Sequence, residues 1–257
     1  MKGLLKFIWI FLFFVFSLGS LKGEEVLPSL YDLYREFISS NGGEKNMQEL
    51  NSIIVSGYIL QDDQKVKFKL YRKRPNKMRI TITIDNLEIS TIFNGENAWQ
   101  EVTSRAERVA LTKIEGNELA SMKTDSIFDS PFYSAFKKRK FITVAAIEEV
   151  KGQEAVRLDY DPAGNFGFDS IWLSLDHYQE VKMLRDLPGD DEEGRLLKEE
   201  IYYDGFSLIK GVYWAQFMQH FVDGTMTKEV VVEEVKPNAG VFDAYFEVED
   251  DKNFTAK

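Results

Sequence analysis

Apolar positions change their spacing near residue 52. Before that point Leu30, Leu33, Tyr34, Phe37 and Ile38 recur at intervals of three and four, the spacing of one helix face. Asn41-Gly42-Gly43 follows as a C-terminal stop, and a second short helix is predicted over 44–50. From Ile53 onward the interval is two. Val66, Phe68 and Leu70 alternate with Lys65, Lys67 and Lys69, and Met78, Ile80, Ile82 and Ile84 alternate with Arg79, Thr81, Thr83 and Asp85. Strands of this kind have one apolar and one wet face, which favours antiparallel pairing. Asn94-Gly95 predicts a hairpin turn joining a strand over 87–93 to the one that carries Trp99.

The alternation lapses over 107–140. Inside that stretch Ser130 has the character of an N-cap and Pro131 of a first helical residue, with Phe132, Tyr133 and Phe136 on one face. Strands resume over 141–150, 154–161, 170–175, 179–187, 196–206, 212–222 and 226–235, parted by turn residues such as Lys151-Gly152, Pro188-Gly189 and Asp223-Gly224. A sheet of this length must curl, and the helical stretches are its available cover. The predicted fold is mainly β (α+β): one domain over 24–257, an open half-barrel of about 10–11 antiparallel strands curled around covering helices. An apolar cavity is expected between sheet and helices.

The N-terminus changes where such a protein works. Lys2 and Lys6 flank an apolar run over 7–16, and the small residues Ser17 and Gly19 follow. That is the build of a secretory signal peptide, with cleavage expected between residues 19 and 23. As a membrane span the run is short of the roughly 20 apolar residues required. The formal net charge of −10 argues against nucleic acid, which needs a basic footprint, and against polybasic docking to anionic lipid. There is no cysteine, hence no disulfide, thiolate metal site, cysteine nucleophile or lipidated N-terminal cysteine. A soluble, exported, periplasmic monomer is expected.

Catalytic signals are missing. His177 and His220 form no His-x-x-His pair. The stretch from Asp159 to Asn165 imitates a calcium loop but contains Pro162 and lacks the downstream bidentate Glu. Asp190-Asp191-Glu192-Glu193 reads as a solvated loop tip. No nucleophile elbow, phosphate loop or dinucleotide fingerprint occurs, so a non-enzyme without cofactor or metal is expected. What the chain does have is 20 Phe, 11 Tyr and 4 Trp. They fill a core, and part of that filling is replaceable by an apolar ligand.

The basic run over 71–77 then needs an explanation. Counting by twos from Val66 puts Arg72 and Arg74 on the apolar face, with Lys67, Lys69, Tyr71 and Lys73 toward water. Pro75 has no N–H for a ladder, so the strand ends or bulges beside it. An arginine at the rim of an apolar concavity requires carbonyl or carboxylate partners. If the covering helices supply them, Arg74 latches the lid.

Lys73-Arg74-Pro75-Asn76 followed by Asn94-Gly95-Glu96-Asn97-Ala98-Trp99 resembles the LolA/LolB-like group of lipoprotein-sorting proteins. The leading helix, Ser130-Pro131-Phe132, and the segment from Glu234 through Phe242 and Phe246 agree with that group in order. The soluble periplasmic carrier is the nearer type, since the receptor is lipidated. The resemblance implies a half-barrel that shields acyl chains of a lipoprotein or lipid on their way to the outer membrane. Its partners would be an inner-membrane releasing complex and an outer-membrane receptor. It also implies that Arg74 hydrogen-bonds to the lid. The expected cavity wall is Val66, Phe68, Leu70, Met78, Ile80, Ile82, Ile84, Phe93 and Trp99, with Phe132 and Phe136 from the lid. An envelope sensor or adaptor on the same fold, binding a partner protein with lipid as signal, is the alternative.

Overall fold

The computed structural model describes residues 26–188 and 195–248. The expected signal peptide and the acidic run over 190–193 lie outside the described residues. Ser29 caps α1 (Leu30–Ser40), accepting from the Asp32 N–H at 3.1 Å. Helix α2 (Glu44–Glu49) follows after the two glycines.

Five hairpin-connected strands come next: β1 (Ser52–Gln61), β2 (Gln64–Lys73), β3 (Lys77–Ile84), β4 (Leu87–Phe93) and β5 (Ala98–Ser104). The stretch expected to be irregular contains a sixth strand, β6 (Glu107–Ile114), and a helix, α3 (Gly116–Asp125). The strand was hidden because Arg108, Thr112 and Lys113 break the alternation on a sheet edge, where polar residues are tolerated, and the helix because Met122 is the one residue it buries. Helix α4 (Pro131–Phe136) begins as expected, with the Ser130 hydroxyl accepting from the Tyr133 N–H at 3.3 Å.

The second half supplies β7 (Ile142–Val150), β8 (Gln153–Tyr160), β9 (Ser170–Ser174), β10 (Glu180–Pro188) and β11 (Leu196–Asp204). The single strand expected over 212–222 is two. Ser207–Ile209 (β12) and Val212–Trp214 (β13) make a small separate ribbon, and Phe217–Val222 (β14) returns to the main sheet. The Tyr213 N–H donates to the Asn41 side chain at 3.2 Å, which pulls the ribbon toward the α1–α2 junction. The last strand is β15 (Thr225–Pro237).

Thirteen antiparallel strands form one open sheet in the order β6-β5-β4-β3-β2-β1-β15-β14-β11-β10-β9-β8-β7. This exceeds the ten or eleven expected; β6 is the strand of the main sheet that the alternation did not predict, and the division of the late strand adds only to the separate ribbon. The helices gather on one face, here called inner, and cover it unevenly. Leu33 and Phe37 of α1, Met47 of α2, and Phe132, Tyr133 and Ala135 of α4 pack with Val156, Leu158, Ile171, Leu173, Met183 and Ile201. That is the packed half, over β8–β11. Tyr34 stacks on Phe136 with ring centroids 3.6 Å apart, and Phe37 meets Phe132 edge-on at 5.3 Å. Aromatic contacts therefore tie α1 to α4.

Candidate ligand site on the inner face

Over β2–β5 the inner face is sparsely covered. Register places Leu70 opposite Ile80 and Phe68 opposite Ile82, with Ile82 opposite Ile89 and Ile84 opposite Leu87. At one end Met78 packs with buried Phe93, Ala98, Ile114 and Met122, so α3 closes the row there. Toward the other end the cover thins. Val66, Ile80, Ile82 and Ile89 are half-buried, whereas Ile84 is 38 % and Leu87 40 % exposed. The result is an aliphatic strip, shut at the α3 end and open at the β3–β4 turn.

Two corrections to the expected wall follow from the geometry. Trp99 is on the other face. The chain between Phe93 and Ala98 turns over four residues, with Asn94 Oδ1 accepting from the Glu96 and Asn97 N–H groups. Ala98 is thereby set opposite Phe93, and Trp99 opposite the outer-facing Ile92. The two-residue Asn94-Gly95 turn predicted from the sequence has the same parity and also sets Trp99 on that face. Phe132 and Phe136 also leave the wall, because the aromatic contacts with α1 hold them in the packed half. Val66, Phe68, Leu70, Met78, Ile80, Ile82, Ile84 and Phe93 do share one face.

The loop between α3 and α4 crosses the shut end. Its Phe128 is buried against Phe68, Val55 and Val235, and its N–H donates to the Pro75 carbonyl at 3.3 Å. Arg74 uses all three of its nitrogens. Nε donates to the Leu50 carbonyl at 2.6 Å, Nη1 to Asp129 Oδ2 at 2.7 Å, and Nη2 to the Met47 carbonyl at 3.0 Å. One residue thus joins the end of β2 to α2 and to the loop before α4. Its guanidinium lies 4.7 Å from the Phe128 ring centroid, in range for a cation–π contact. The strand ends at Lys73, beside Pro75, as expected.

Not all of the basic run faces water. On the outer face Tyr71 stacks with Tyr245 at 4.9 Å, and Lys73 and Lys77 both reach Asp243, at 3.1 and 2.9 Å. The C-terminal turn over Asp243–Phe246 is held there.

Charged groups inside the packed half went unread in the sequence. Arg185 of β10 pairs with Glu199 of β11 at 2.6 Å and with Asp125 at the end of α3. His220 Nδ1 lies 3.0 Å from Glu199. Burial alone would raise the Glu199 carboxyl, but His220 and the Arg185 guanidinium outweigh it and hold the group at about 2. Burial lowers His220, opposed by its bond to Glu199. Glu180 accepts from the Phe132 N–H at 2.6 Å and from the Ser130 hydroxyl, and burial pushes it up to about 7. The one signal available in sequence was polar residues at apolar parity: Arg185 falls between Met183 and Leu187, and Glu199 between Leu197 and Ile201, on the inner rows of their strands.

Among the described residues no group of three or more His, Asp or Glu side chains is placed to hold a metal ion. No helix among them is long and apolar enough to cross a membrane. Two hollows of about 400 and 470 Å³ lie away from the aliphatic strip, one on the outer face beside Trp172, Lys182 and Tyr202, the other at the hairpin tips by Asp62 and Met226.

An open antiparallel half-barrel with helices on its inner face defines a known class. A crystal structure of a LolA superfamily protein, NE2245 from Nitrosomonas europaea, matches with a TM-score of 0.52 at 10% identity, over 86% of this chain and 98% of that one. A DUF1329 family protein from Desulfovibrio piger ATCC 29098 matches with a TM-score of 0.51 at 14% identity, over 85% of this chain and 97% of that one. No protein-family model and no curated protein matches the sequence. The chain has a LolA-like fold.

Proposed function

We propose that this protein is a non-catalytic periplasmic carrier that shields the acyl chains of a lipoprotein or lipid for transport toward the outer membrane. The observation that carries the reading is the aliphatic strip over β2–β4, left open where the rest of the inner face is packed. Contiguous apolar surface of this kind marks an interaction site. An acyl chain laid on it gains about 25 cal/mol for each Å² of apolar area removed from water.

Arg74 is the latch in this reading. With Asp129 and the Met47 and Leu50 carbonyls it holds the 126–130 loop down, and Phe128 fills the space an acyl chain would take. Loading breaks these bonds, and release is driven by their return. Arg74→Leu is therefore expected to load and to release slowly, in an assay of transfer from the protein to acceptor vesicles. Release as fast as wild type would remove the latch.

The reading itself is tested by purifying the protein from its periplasm without detergent and extracting it with organic solvent. A stoichiometric acyl-bearing species is expected, and Ile82→Asp with Ile84→Asp should abolish it. An empty extract, together with no uptake of a fluorescent fatty probe, would overturn the carrier and favour the partner-binding sensor or adaptor.

A further inference from the structure

Arg72 sits two residues before Arg74 on the same inner face, and its bonding is incomplete. Nη2 donates to the Asp125 carbonyl at 3.0 Å and to the Ile127 carbonyl. Nε is buried and has no hydrogen-bond partner among the described residues. The nearby carboxylates are engaged elsewhere: Asp129 by Arg74, and Asp125 by Arg185. The guanidinium thus meets carbonyl dipoles but, among the described residues, no carboxylate at contact distance. Burial lowers its affinity for its proton, with Asp125, Tyr203 and Asp129 opposing from farther away. A buried N–H without an acceptor is costly, and a guanidinium fork is shaped for a carboxylate or phosphate.

The position gives that vacancy a meaning. Along β2 the inner row runs Val66, Phe68, Leu70, Arg72, and Arg72 lies opposite Met78 at the shut end of the aliphatic strip. Six residues of strand separate Val66 from Arg72, a span of roughly 20 Å at about 3.3 Å per residue. That is the length of an extended long acyl tail. Phe128, whose ring centroid is 6.0 Å from the Arg72 guanidinium, covers the junction between apolar strip and charge.

We infer that the ligand of the inner face is a single-headed amphiphile with an anionic head, carboxylate or phosphate, bound with its head on Arg72 and its tail along Leu70, Phe68 and Val66. The inference rests on the acyl-carrier reading and narrows it, since a neutral acyl group offers the Arg72 guanidinium one carbonyl acceptor and no charge. The Asp125 and Ile127 carbonyls hold the guanidinium in place. On binding, Phe128 moves aside and the head group supplies the missing acceptor.

The test compares palmitate, hexadecyl phosphate and hexadecanol at pH 8 as displacers of a fluorescent fatty probe from the full exported protein. At least one anion is expected to bind tenfold or more tightly than the alcohol, and the tighter of the two identifies the head. Arg72→Gln, which keeps a donor for the loop carbonyls, should reduce that preference to within twofold while leaving hexadecanol affinity unchanged. Arg74→Gln should retain the preference. Equal binding of all three by the wild-type protein would overturn the inference and leave the carrier standing; binding of none would overturn both. The wild-type comparison decides the matter even if the Arg72 variant fails to fold.

Discussion

The Glu180 carboxyl lies under the first turn of α4, accepting from the Phe132 N–H and the Ser130 hydroxyl. These bonds favour the charged form, but burial opposes it more strongly and raises the group from 4.5 to about 7. The folded protein therefore binds this proton more tightly than the unfolded chain. Between about pH 4.5 and 7 folding carries more bound proton than unfolding, so stability falls as pH rises through that window. At about 1.4 kcal/mol per pH unit the loss amounts to about 3 kcal/mol. Glu180→Gln keeps an oxygen for the Phe132 N–H and cannot ionise. Urea denaturation at pH 5 and pH 8 is expected to show the variant gaining on wild type at pH 8; parallel curves would mean the carboxyl is solvated. Glu199 has the opposite sign. Its depressed value contributes stability that is present above about 4.5 and is lost as pH falls toward about 2. Of these interior charges only their parity was legible in sequence. Their partners come from α3, α4 and strands far apart in the chain, and long-range pairing leaves no local pattern.

Elements were read best where both faces of a strand kept their character. The bounds of β2, β3 and β4 follow the alternation closely because one face is buried and the other wet. β6 and α3 escaped for different reasons: the strand is an edge, and α3 buries only Met122. Turn length decided the faces. The four-residue connection after Phe93, like the two-residue turn predicted there, sets Trp99 on the face of Ile92, while the β2–β3 connection sets Phe68 opposite Ile82. Gly57 had no counterpart in the pattern at all. It sits where the β1–β15 register shifts, and a Cβ there would come within 1.9 Å of the Val231 carbonyl oxygen and 3.0 Å of the Val232 Cα. Backbone on both strands leaves no flexible neighbour to yield. Gly57→Ala is expected to destabilise by about 3 kcal/mol, in the range of overpacked core changes. The adjacent Ser56→Ala should stay within about 1 kcal/mol. Similar urea midpoints for the two variants would mean that β15 can move away from β1.

Across the whole molecule one sheet is stabilised in two unlike ways. Over β8–β10 the residues Val156, Leu158, Ile171 and Leu173 are fully buried and Met183 is buried, sealed by α1, α2 and α4. Over β4–β6 the inner face is buried only toward α3, at Phe93, Ala98 and Ile114; Ile89 is half-buried, Leu87 and Val109 are exposed, and β6 ends the sheet. Amide exchange in contiguous units follows such differences in packing. The β8–β10 amides are expected to exchange only through global unfolding, and those of β4–β6 through a separate opening of lower free energy. A ligand that binds the native strip adds protection in proportion to RT ln(1 + [L]/Kd), about 2.7 kcal/mol at a hundredfold excess over Kd. If the strip is the site, that gain appears first in β2–β4, whose opening destroys it, and reaches β8–β10 only as a rise in global stability. Hydrogen exchange with and without a fatty probe separates these contributions. Uniform protection in the free protein would make the sheet one cooperative unit. A gain confined to the outer face around Trp172 and Tyr202 would move the site there, and the aliphatic strip would be an incompletely covered core.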